Sequence, residues 1–155
     1  PSVFSGYEHQ GELPSPQRPD DWFATGDIGA IDAGGRLAIR GRRHDLIVSG
    51  GENIYPAEVE RILERHERVR EAAVYGEADA EWGQTVSAAL VADGTPPSDA
   101  DFARWIDTHL PGFKRPRVWH WVATLPRTSL GKLARDRLAE LVPARIAPLR
   151  PSADH

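Results

Sequence analysis

Apolar and polar positions change their period several times along this 155-residue chain, and each change marks an element. "WFATGDIGAIDAGGRLAIRGR" reads as two short strands around a turn, with Asp32, Gly34 and Gly35 supplying the turn chemistry. "HDLIVSGG" is another short strand that ends on glycines. A helix follows from about Pro56, because Val59, Ile62, Leu63, His66 and Val69 fall on one stripe and proline suits a first helical turn. "EAAVYG" and "TVSAALVAD" read as strands. A second helix opens at Ser98, with Asp101 as its capping-box partner and Phe102, Trp105, Ile106, His109 and Leu110 as its stripe. "VWHWVATL" alternates as a strand, and a last helix is expected over 133–142.

From about residue 43 to 142, strands alternate with helices. This predicts an α+β fold in which a small mixed sheet carries about three packed helices. Residues 1–42 do not join that pattern. They are expected to be the end of a preceding β-rich domain, with a proline-rich, partly disordered start and a closing hairpin. The predicted organisation is therefore 1–42, then a domain over 43–142, then a flexible proline-rich tail over 143–155.

Composition narrows the class. The chain is 40% hydrophobic and 27% charged, as soluble globular domains are. No apolar run approaches the ~20 residues of a membrane-spanning helix, so no membrane span is expected. Cysteine is absent, which removes disulfides and thiolate metal sites and is compatible with a cytoplasmic setting. The net charge of −4 hides an asymmetry: residues 111–155 hold nine Lys or Arg against three Asp or Glu, whereas the first 110 hold ten against twenty. A basic third within an acidic protein suggests a local anion site rather than a nucleic-acid surface, or else charges clustered by chance on a solvated face, which charge alone favours.

Five short stretches could carry chemistry. "TGD" sets Asp27 at a turn, where a carboxylate can accept from a ribose diol or simply bond its own backbone. "GRRHD" places Arg42 and Arg43 at the expected joint, as anion forks or as surface charge. "SGGEN" lacks the spacing of either phosphate-binding glycine motif, so Gly50 and Gly51 permit close approach of another chain or make a plain turn. "PGFKRPR" mixes Phe113 with Lys114, Arg115 and Arg117, a purine-stacking and phosphate-clamping set or a solvated loop. "PRTSLGKLAR" puts Lys132 after Gly131 at an expected helix start, as a mobile point charge or an exposed lysine. Trp82 stands in a polar setting before a strand, and no His, Asp and Glu set has metal-ligand or triad spacing.

In order, these stretches are specific. T-G-D, then G-R-x-x-D-x-I-x-x-G-G-E-N-I-x-P-x-E-V-E, W-G, F-K-x-P and P-R-T-x-x-G-K together resemble the C-terminal part of the acyl-adenylate-forming superfamily over about 22–138. That superfamily comprises acyl- and aryl-CoA ligases, peptide-synthetase adenylation domains and luciferases. "SGGENIYPAEVE" is most similar to aryl-acid CoA ligases, including the 2-succinylbenzoate–CoA ligases of menaquinone synthesis and benzoate-type ligases.

The resemblance implies a two-step reaction, with ATP and CoA as substrates, a small carboxylic acid as the third, and Mg2+ brought with ATP on ligands outside this chain. It also implies a C-terminal domain that rotates between the steps about a hinge at His44, where the family usually has Asp or Lys. By the same resemblance Asp27 and Arg42 bind the nucleotide ribose, and Lys132 enters as the catalytic lysine of adenylation. Ser49, Gly50, Gly51, Glu52 and Asn53 enter in the second step, the glycines lining the passage for the pantetheine arm, while Trp82, Phe113, Lys114, Arg115 and Arg117 meet CoA.

The family's phosphate loop and acid pocket belong to a large N-terminal domain, the expected partner, and nothing in this sequence resembles them. The chain is therefore expected to be a fragment, inactive alone. Two other readings stand beside the CoA ligase. One is an adenylation domain that loads a carrier protein. The other is a non-catalytic interaction module.

Overall fold

The computed structural model describes residues 24–141. The proline-rich start expected over the first twenty residues and the tail expected over 143–155 lie outside the described residues. The chain divides into two compact units, one ending at His44 and the other beginning at Asp45.

The first unit is an antiparallel hairpin of β1 (Asp27–Ile31) and β2 (Leu37–Arg42). Its turn is tied by Asp32, whose carboxylate accepts from the Gly34 and Arg36 amides at 2.8 and 3.0 Å. The Arg36 amide, then the Arg36 side chain, hold the Asp32 pKa below the usual carboxylate range. Ile31, Leu37 and Ile39 are exposed on this hairpin.

The second unit is a five-stranded mixed sheet. It contains β3 (Ile47–Ser49), β4 (Glu52–Ile54), β5 (Val69–Asp79), β6 (Gly83–Ala92) and β7 (Val118–Trp121). β6 is its axis: β5 pairs antiparallel along it, β7 runs parallel to Ser87–Leu90, and β3 meets it at Ser49–Gly83. Helix α1 (Pro56–Leu63) and helix α2 (Asp99–His109) share one face of the sheet. Ser98 caps α2 by accepting from the Asp101 amide.

Alternation along the two long strands builds two cores. Ala72 and Val74 of β5 with Val86, Ala88 and Leu90 of β6 face the helices, and Val59, Leu63, Phe102 and Ile106 cover them. Ala73, Tyr75, Ala89 and Val91 point the other way, where Leu125 and Leu138 cover them. On that second face Ser87 donates to Glu77 at 2.6 Å, and burial, helped by the Glu77 charge, pushes the Tyr75 phenol up to about 12.

Three elements differ from the sequence pattern. The chain forms a strand, β4, where a direct passage into a helix was expected. Gly50 (φ +57°) and Gly51 (φ +84°) turn the chain back, so Glu52 pairs with Ser49 across a two-residue hairpin loop. Helix α1 stops at Leu63, so His66 and Val69 leave the helix. Val69 opens β5, and His66 packs edge-on against Phe102 and Trp105.

The third α-helix is absent among the described residues. Residues 126–134 close on themselves, the Ala134 amide donating to the Pro126 carbonyl, and only a 3-10 stretch, Arg135–Leu141, follows. In that geometry Leu138 and Leu141, three apart, fall on one side against the second core.

One ionic node holds these layers together. Glu60 of α1 accepts from the Val74 amide of β5 at 2.8 Å and pairs with Arg135, which also reaches the Val74 carbonyl at 2.9 Å and Asp45 at 3.3 Å. Burial works to lower the Arg135 pKa, but the hydrogen bonds and charge of Glu60, with Asp45, outweigh it and raise it above its ordinary value. The Arg135 and Glu60 side chains are only 22% and 13% exposed, so removing one partner strands the other. Arg135→Met is expected to cost roughly 3 kcal/mol of stability in urea denaturation, whereas Arg36→Met on the exposed hairpin pair costs under about 1 kcal/mol.

Candidate functional site

A hollow of about 240 Å³ opens beside the β3–β4 turn, lined by Ser49, Gly50, Glu52, Trp82, Val86, Gly112, Phe113, Arg115 and Arg117. Two elements make it. The glycine turn forms one wall, fixed to the β5–β6 loop by a bond from the Gly50 amide to the Trp82 carbonyl at 3.0 Å. The loop between α2 and β7 forms the other, fixed to β6 by the Arg117 amide donating to the Val86 carbonyl at 2.8 Å.

Gly50 has a specific reason to be glycine. A Cβ there would lie 2.6 Å from Cε3 of Trp82, so the turn backbone lies directly against the indole. Arg117 holds its guanidinium over the same ring, 5.3 Å from the centroid. Trp82 and Phe113 remain 41% and 45% exposed. The hollow thus offers two accessible aromatic side chains and a cation beside a thin backbone wall. Gly51 has open space where its Cβ would be, so only its positive φ demands glycine.

The cations of the "PGFKRPR" loop are not equivalent. Lys114 turns to Glu58 of α1 at 2.5 Å and is only 18% exposed. Arg115 staples the end of α2, donating to the Leu110 carbonyl at 2.7 Å, the Asp107 carboxylate at 2.7 Å and the Asp107 carbonyl at 2.8 Å. Among the described residues only Arg117 of the three makes no ion pair. The structure brings Ser49, Gly50, Glu52, Trp82, Phe113, Arg115 and Arg117 to one hollow. Gly51 and Lys114 are outside its lining, and Asn53 pairs with Val48 in the β3–β4 ladder. Val86 and Gly112 line it without any sequence signal beyond strand and turn patterning.

Lys132 is elsewhere. It lies exposed in a closed loop, not at a helix start, within the segment whose Leu125, Leu133 and Leu138 cover the face of the sheet opposite the helices. In the first unit, Asp27 and Arg42 face each other across β1 and β2 and pair at 2.6 Å, while Arg42 also donates to the Thr25 carbonyl at 3.1 Å. His44 is exposed in the 3-10 turn Arg43–Asp45 and is the last residue of that unit. No group of three or more metal-ligating side chains, and no helix long and apolar enough to cross a membrane, occurs among the described residues.

Sequence and structure comparisons bear on this geometry. The AMP-binding enzyme C-terminal domain matches residues 58–132. The chain is 42% identical over 140 residues to a 2-succinylbenzoate–CoA ligase of Listeria monocytogenes, covering 90% of this chain and 30% of that protein. It is 44% identical over 138 residues to the Bacillus licheniformis ligase of the same name, covering 89% and 29%. It therefore spans about three-tenths of the length of the curated relatives it matches. Among solved structures it is similar to o-succinylbenzoate CoA synthetase from Bacillus subtilis in complex with the acyl-adenylate intermediate, at 41% identity and a TM-score of 0.74, over 79% of this chain and 25% of that one. ATP-bound MatB from Rhodopseudomonas palustris gives 38% identity and a TM-score of 0.77, over 89% and 28%.

The packing of Gly50 on Trp82 can be tested by paired substitutions. Gly50→Ala is expected to cost about 2–3 kcal/mol, by overpacking against the indole and by the positive φ. In a Trp82→Ala background only the roughly 1 kcal/mol backbone part should remain. Equal costs in both backgrounds, read by urea denaturation, would show that the glycine makes no room for Trp82.

Proposed function

The chain belongs to the AMP-binding enzymes, whose C-terminal domain it carries, and we propose on that premise that it serves an ATP-dependent acid–CoA ligase. The acid is an aryl carboxylate, with 2-succinylbenzoate, named for relatives at 42% and 44% identity, the first to test. In the first step a carboxylate oxygen attacks the α-phosphorus of ATP; an O–P bond forms and pyrophosphate leaves. In the second step the CoA sulfur attacks the acyl carbon, the mixed-anhydride bond breaks, AMP leaves and the thiol proton passes to solvent.

The observation that carries this reading is the separation of two chemistries on one small domain. The aromatic and glycine hollow opens beside the β3–β4 turn, and Lys132 stands in the segment over the face opposite the helices. A domain that acts in two steps by rotating needs two such faces. Lys132 would bridge the acid and the α-phosphate and offset charge that develops in the first transition state. Gly50 and Gly51 would let the thin thiol arm pass against backbone, with Trp82 and Phe113 as stacking surfaces and Arg117 as the available cation at the nucleotide end of CoA. Lys114 and Arg115 contribute by shaping that loop, since both are already paired. Asp27, held by Arg42, would receive the ribose hydroxyls, and His44 would be the hinge. A phosphate loop, an acid pocket and the Mg2+ ligands would come from the N-terminal domain. A cytoplasmic setting goes with these substrates.

A carrier-protein acceptor is the second reading. A carrier-borne arm would need the glycine passage but no nucleotide platform, so accessible Trp82 and Phe113 with Arg117 favour free CoA.

The test uses the full-length enzyme and separates the half-reactions. Lys132→Ala should reduce acyl-AMP formation by at least about 100-fold while thioester formation from supplied acyl-AMP stays within about threefold. Trp82→Ala should raise the KM for CoA and leave pyrophosphate exchange unchanged. Equal loss of both half-reactions in Lys132→Ala would sink the assignment, and turnover with carrier protein but not CoA would favour the second reading.

A further inference from the structure

Resting on the reading of Lys132 as the adenylation lysine, we propose that Arg127 is its positioning residue, holding the peptide that precedes the lysine to strand β5. The loop over 126–134 is a small closed ladder. Arg127 bridges to Leu133, the Thr128 amide donates to the Lys132 carbonyl at 2.7 Å, and the Gly131 amide donates to the Thr128 carbonyl at 2.9 Å. The Lys132 amide donates to the Thr128 hydroxyl at 3.2 Å, and Gly131 turns the tip at φ +79°. Both backbone polar groups of Lys132 are therefore fixed, whereas its side chain makes no hydrogen bond or ion pair among the described residues.

A closed ladder fixes the loop's shape but not its placement on the sheet. Arg127 supplies the placement. One of its terminal nitrogens donates to the Gly131 carbonyl at 3.0 Å, the carbonyl of the peptide leading into Lys132. The other meets Glu71 of β5 at 2.5 Å. A planar guanidinium makes both bonds at once in a fixed geometry, which a lysine's single ammonium cannot reproduce. Within 126–134 the loop's other tie to the sheet is apolar, through Leu133, and apolar packing is weakly directional; the bond of Arg135 to the Val74 carbonyl lies just beyond the closed ladder.

Stability is a poor reason for this arrangement. The Arg127 and Glu71 side chains are 49% and 33% exposed, and such pairs contribute about 0–1 kcal/mol. What the pair fixes is the origin of a flexible four-carbon stem whose ammonium must meet a reacting phosphate. Misplacement by about 1 Å can cost on the order of 100-fold in rate.

The test again uses the full-length enzyme, with Arg127→Met, Glu71→Gln and the double variant beside Lys132→Ala. Arg127→Met should lower kcat for acyl-AMP formation on the order of 10- to 100-fold, with KM for ATP and acid, thioester formation from supplied acyl-AMP and the melting temperature all unchanged. Glu71→Gln should give a smaller loss of the same kind, and the double variant should be no worse than Arg127→Met alone. A raised KM for ATP or acid would make Arg127 a substrate ligand, and equal loss in both half-reactions or a lowered melting temperature would make it structural. Either result overturns the proposal. If Lys132→Ala abolishes adenylation and Arg127→Met does not slow it, the positioning inference alone fails. If Lys132→Ala leaves adenylation intact, the underlying reading fails.

Discussion

The carboxylate of Glu60 ties the layers of this domain to one another. It projects from α1, accepts from the Val74 amide of β5, and receives the guanidinium of Arg135. Arg135 in turn reaches Asp45, the first residue of the second unit. One partly buried ion pair thus joins helix, sheet, the start of the domain and the segment that presents Lys132. An edge strand needs its outward amides satisfied, and Glu60 and Glu64 do this for Val74 and Ala72. The same bonds bring α1 close enough to bury Val59 and Leu63 against the sheet.

From that frame the two candidate surfaces separate. β5 and β6 have a period of two, so alternate residues support different things. Val86 floors the hollow beside the glycine turn, while Ala89 and Val91 support the segment around Lys132. The proposed two-step role requires a domain that is rigid between its two faces. Two long paired strands at its centre, with a core on each side, provide that rigidity.

Sequence spacing treats every cation in "PGFKRPR" alike, and the fold does not. Lys114 and Arg115 find Glu58 and Asp107, partners 56 and 8 residues away, and Arg117 finds an indole. Arg127 and Glu71 are likewise 56 residues apart. Which charges are internal is a matter of three-dimensional proximity, so the basic character of residues 111–155 overstates the number of cations available to a ligand.

The sequence alone determined the elements whose causes are local. Ser98 and Asp101 cap α2 because a hydroxyl three residues from an amide can reach it, and the alternation of β5 and β6 sorts their side chains whatever lies above. The ordered motifs likewise made the family legible, since each residue stands at a chemically constrained spacing. Tertiary structure decided what depends on distant partners. Gly50 faces Trp82, so a larger residue there would press on the indole, which the chain order of the two does not reveal. Leu133 and Arg135 follow a helical pattern, yet pairing with Arg127 and Glu60 draws that stretch into a closed loop and a 3-10 turn. Local propensity is worth tenths of a kcal/mol per residue, and buried ionic and apolar contacts across the sheet outweigh it.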